Sequence, residues 1–111
     1  MRKLIPLAVV AAFAAVPAVS ALASTPTKKV TVGDNFFSVK KTTISRGTRV
    51  TWVWHSFGIS HNVTVMSGPS KFHSRRLQSS GSFSHLFTKK GTYHLICTLH
   101  PTTMKETILV R

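Results

Sequence analysis

Acidic side chains are almost missing from this 111-residue chain: Asp34 and Glu106 are the only two, against 15 lysines and arginines. With so few carboxylates, no Ser, His and Asp set can be built near the one cysteine. Hydrolytic catalysis has no support, and the chain is read as a non-enzyme. Cysteine is as scarce, with Cys97 alone. That excludes a disulfide within the chain and removes the multiple cysteines that structural zinc sites generally use. Helical spacing is hardly visible beyond the first two dozen residues. There is also no internal repeat, no second domain and no nucleic-acid-binding motif.

What is present begins with a leader. Met1-Arg2-Lys3 is a short positive start, Leu4 to Val19 is nearly all apolar, and Ala21-Leu22-Ala23 has the small-x-small form of a cleavage site. Residues 1–23 are expected to be a secretory signal peptide and residues 24–111 one small domain, secreted or periplasmic. An uncleaved anchor is the alternative, since about 20 apolar residues span a bilayer. The formal charge is +13. A field of that sign favours partners with acidic docking surfaces and electrostatic association with an anionic membrane or cell wall, not nucleic acid, which an exported chain rarely meets. A monomer is expected.

After the leader the apolar pattern has period two. Lys29 to Val32 alternates and stops at Gly33-Asp34-Asn35, a turn signal. Phe36 to Ile44 reads as a broken strand, Arg49 to Trp54 as a clean one, and His61 to Met66 as another. Ser67 to Gly81 reads as a long loop. Ser82 to Phe87, Thr92 to Cys97 and Lys105 to Val110 complete the set. Seven to eight short strands separated by turns indicate an all-β, Greek-key β-sandwich. Alternation puts Tyr93, Leu95 and Cys97 on the apolar face, so the Cys97 sulfur points inward near a strand end.

An unpaired cysteine in an exported chain is an inert buried thiol, half of an intermolecular disulfide, or a metal ligand. His100 and Met104 follow it closely, and His61 stands upstream in Ser60-His61-Asn62-Val63. Two imidazoles, one thiolate and a weak axial thioether form the ligand list of an electron-transfer copper site. Zinc also takes Cys and His but does not recruit methionine. Met66 is expected in the core, and at least one of Trp52 and Trp54, which share a face with Val50, is expected to fill the sandwich interior. His55, His73 and His94 are read as solvated, and His85 as partly buried and hydrogen-bonded beside Phe83 and Phe87.

The run Gly91 to Pro101 with Met104 after it resembles the copper-binding loop of plastocyanin-like cupredoxins. His61-Asn62-Val63 resembles that family's first-ligand segment, and Gly47 to Trp52 the strand before it. The resemblance implies one copper ion held by His61, Cys97, His100 and Met104, single-electron transfer between redox partners, and Asn62 bracing the loop through Thr98. Copper capture or delivery through the same residues is the rival role. Two departures stand out. Three residues separate His100 from Met104, where better-known members have two or four. Ile96 also replaces the surface aromatic of plant plastocyanins, so the doorway for electrons is expected at His100 with Leu99 and Pro101.

Overall fold

A computed structural model of the chain describes residues 24–75 and 77–111. The expected signal peptide, residues 1–23, lies outside the described residues. Eight strands are found among those described: β1 Thr27–Gly33, β2 Phe36–Phe37, β3 Lys41–Ile44, β4 Thr48–Trp54, β5 Thr64–Ser67, β6 Ser82–Phe87, β7 Gly91–Ile96 and β8 Lys105–Val110. They form two four-stranded sheets, ordered β2-β1-β4-β6 and β3-β8-β7-β5. The all-β sandwich expected from the alternation is what the chain adopts.

Alternation decides which side chains face the gap between the sheets. Val50, Trp52 and Trp54 of β4 are buried, and so are Tyr93 and Leu95 of β7 and Ile108 and Val110 of β8. Within one sheet Trp52 stacks on its cross-strand neighbour Phe83 at 5.7 Å, and between the sheets Phe87 meets Tyr93 edge-on at 4.9 Å. Such pairs add about 0.5–1.5 kcal/mol beyond the area they bury. Glu106 also points inward, where Trp52 Nε1 donates to its Oε1 at 2.8 Å. His85 is held mainly by a ring, stacked 3.7 Å from Phe72.

Topology gathers the functional segments at one end. β1 runs parallel to β4, with Val32 opposite Trp54. The β1–β2 turn therefore arrives beside the loop that leaves β4, where His55 N donates to Val32 O at 2.8 Å. Asn35 occupies the left-handed region in that turn (φ 65°), a conformation asparagine tolerates better than most residues. At the same end β7 runs out into Cys97 and the chain returns as β8, antiparallel, with Ile96 opposite Lys105.

Two expectations are corrected. Met66 is not in the core but 59% exposed. Val65 pairs with Leu95 and Ser67 with His94, so Met66 is the extra residue of a β-bulge, which breaks alternation and turns its side chain outward. The strand expected from His61 begins only at Thr64, with His61 held in an isolated bridge to Gln78.

Candidate metal centre

His61 is set by its backbone before its side chain is considered. Its N–H donates to Gln78 O at 3.0 Å, its carbonyl accepts from Gln78 N at 3.1 Å, and Trp54 Nε1 donates to the same carbonyl at 3.1 Å. The imidazole is fully buried. Its Nδ1 lies 3.8 Å from Cys97 Sγ, and its Nε2 has no hydrogen-bond partner. Burial, then the nearby His100, holds the pKa of His61 below its usual value, with Asp34 opposing them. The ring is thereby kept neutral, with a lone pair free to bind metal.

The loop from Cys97 to Met104 closes on itself. Cys97 N donates to Met104 O at 3.1 Å, His100 N to Cys97 O at 3.1 Å, and Met104 N to His100 O at 2.9 Å. The last bond spans four residues, so the three-residue gap after His100 is taken up as one helix-like turn. Cys97 and Met104 are both fully buried, placing the thiol and the thioether inside the sandwich. Asn62 braces this loop from both sides. Its Nδ2 donates to Thr98 Oγ1 at 2.6 Å, while its Oδ1 accepts from Thr98 N at 2.9 Å.

His100 is half-buried on the turn leaving β7, its ring centroid 5.3 Å from that of His61. Its Nε2 is covered and unpartnered among the described residues, while Leu99, 52% exposed, and Pro101 are the exposed apolar residues of this loop. Among the described residues no group of three or more His, Cys, Asp or Glu side chains is gathered as a metal cage. The His61–Cys97 pair is in contact, and the His100 ring lies beside that of His61. His61 turns its Nδ1 toward the buried Cys97 sulfur, and the covered Nε2 of His100 has no partner among the described residues, a buried polar atom that is costly unless something occupies it. With a thiol and a thioether beside them, the donors fit copper and fit hard cations poorly.

Sequence reasoning missed Asp34, whose Oδ1 is 3.9 Å from His61 Nε2. It also missed the buried position of Glu106. The scarcity of acids was the available signal: one of the two adjoins the candidate site and the other is in the core.

The sequence profile of the copper-binding plastocyanin/azurin family matches residues 25–111. Amicyanin-alpha of Methylorubrum extorquens is 32% identical over 111 residues, covering 91% of this chain and 92% of that protein. Among solved structures, a purple cupredoxin from Nitrosopumilus maritimus has the same fold. Its TM-score is 0.64 at 24% identity, over 75% of this chain and 98% of that one. A copper-containing nitrite reductase from Thermus scotoductus matches with TM-score 0.65 at 30% identity, over 78% of this chain but 22% of the reductase chain.

The reductase corrects the expectation of a non-enzyme, because a closely similar fold forms part of an enzyme chain. That expectation rests on missing hydrolytic groups, and their absence does not bear on redox chemistry at a metal.

Proposed function

This chain belongs to the plastocyanin/azurin family of copper-binding proteins and carries one copper ion; from that premise we propose that His61, Cys97, His100 and Met104 hold the copper, and that the protein passes single electrons between redox partners outside the cytoplasm. The observation that carries this reading is the buried contact of His61 Nδ1 with Cys97 Sγ, beside a fully buried Met104.

Bound there, copper supplies the one-electron Cu(II)/Cu(I) couple. The chain's own residues supply the rest. His61 is anchored by two backbone hydrogen bonds to Gln78 and one from the Trp54 indole, and Asn62 pins the loop that carries Cys97 and His100. A site braced this way changes shape little when its charge changes, which favours fast exchange of an electron. Burial of Cys97 and Met104 keeps water from both sulfurs. Leu99 and Pro101, both exposed, offer an apolar contact next to His100.

The leader pattern at residues 1–23 supports export, and the strongly positive charge that residues 24–111 keep without it supports redox partners with acidic surfaces. An absorption spectrum of the Cu(II)-loaded protein tests the reading. An intense blue or purple band that disappears on reduction and in Cys97→Ser is expected. A colourless protein, or one whose spectrum is unchanged in Cys97→Ser, overturns the ligand assignment.

A further inference from the structure

We propose that Asp34 is the positioning residue for His61: its carboxylate draws the proton of the imidazole onto Nε2 and leaves the Nδ1 lone pair turned toward Cys97. The redox consequence of this inference rests on the copper reading above, whereas the choice of tautomer does not.

His61 is fully buried, and its Nε2 makes no hydrogen bond to any of the described residues. Asp34 Oδ1 lies 3.9 Å from that nitrogen. This is ion-pair range, with the carboxylate 35% exposed and the imidazole fully buried. On the other side of the ring, Nδ1 faces the Cys97 sulfur at 3.8 Å. With the ring proton on Nε2, Nδ1 is free to accept from the Cys97 thiol at that place. The carboxylate at Nε2 is what selects this tautomer.

Asp34 is itself fixed in place. It sits in the β1–β2 turn beside Asn35, whose left-handed backbone reverses the chain. Its Oδ1 also accepts from Phe57 N at 3.3 Å, in the loop between β4 and His61. The chain has two acids; Glu106 is in the core, and the other stands at this nitrogen. A carboxylate behind a ligating imidazole raises the basicity of the ring and favours the more highly charged metal ion.

The test uses the full chain, 15N-labelled and copper-free in chelator at pH 8, with long-range 1H–15N correlation to read the ring nitrogens of His61. Wild type should show the proton on Nε2 alone. Asp34→Ala should show a mixture of both tautomers. Asp34→Asn, which keeps an acceptor oxygen without the charge, should stay with Nε2–H. In copper-loaded protein both variants should lower the Cu(II)/Cu(I) affinity ratio about tenfold, a rise in potential of about 59 mV.

A single Nε2–H tautomer in Asp34→Ala together with an unchanged potential in Asp34→Asn overturns the proposal. If Asp34→Ala does not fold, the potential of Asp34→Asn decides. The two readings fail separately. Loss of the expected colour in wild type removes the ligand assignment and leaves the tautomer result standing. A normal copper spectrum with a tautomer and potential indifferent to Asp34 removes only the positioning role.

Discussion

Replacing Glu106 by glutamine should remove most of the decline in stability of the copper-free protein between pH 5 and 8. Glu106 is 1% exposed. Its Oε1 accepts from Trp52 Nε1 at 2.8 Å, and its buried Oε2 has no partner. Burial raises its pKa from 4.5 to about 7, against the smaller opposing effect of the Trp52 bond. Between those values the folded chain holds a proton that the unfolded chain has released. Stability from this group is therefore fully present below about pH 4.5, falls as pH rises, and is gone above about pH 7. At 1.36 kcal/mol per pKa unit the fall is on the order of 3 kcal/mol. His61 and His85 have lowered values because of burial. Their contributions run the other way, being lost as pH falls below 6.5, so the raw curve is a sum. The difference between wild type and Glu106→Gln isolates Glu106, since glutamine keeps an acceptor for Trp52 and does not titrate. Urea unfolding followed by tryptophan fluorescence at pH 5, 6, 7 and 8 measures it. Parallel stability curves for the two proteins would refute the reasoning.

Asn62→Ala deletes two hydrogen bonds to Thr98 and should cost about 1–3 kcal/mol in urea unfolding, with faster copper release in a chelator-competition assay. Met66→Thr should stay within about 0.5 kcal/mol of wild type, because Met66 sits exposed on a bulge; a core role predicts several times that loss. Copper at 100 times its Kd should stabilise the fold by about 2.7 kcal/mol relative to protein in chelator, read as a rise in Tm. An equal Tm with and without copper would mean that the native state does not bind it.

Much of this was legible in the order of residues, because β alternation is local. The buried faces of β4, β7 and β8 follow from period two, and Trp52, Tyr93 and Cys97 are buried where alternation puts them. The brace from Asn62 to Thr98 also agrees with what the family resemblance implies. Alternation failed at Met66, where one extra residue in β5 reverses the side and nothing in the local sequence marks the bulge. It failed again around His61, whose place is set by pairing with Gln78, 17 positions away and inside what reads as loop. The three-residue gap before Met104 was visible, but not its resolution into a turn closed on His100 O.

By itself the sequence determined the fold class, the donor types and the side of β7 on which the Cys97 sulfur lies, since each depends on residue chemistry or on neighbours two positions apart. Only the tertiary structure decided where the two acids go. Parallel pairing of β1 with β4 carries the Asp34 turn to the unpartnered nitrogen of His61, and packing of one sheet on the other seals Glu106 against Trp52. Both are contacts between distant segments, and a carboxylate's effect on a ring or on stability depends on the distance and water that such contacts set.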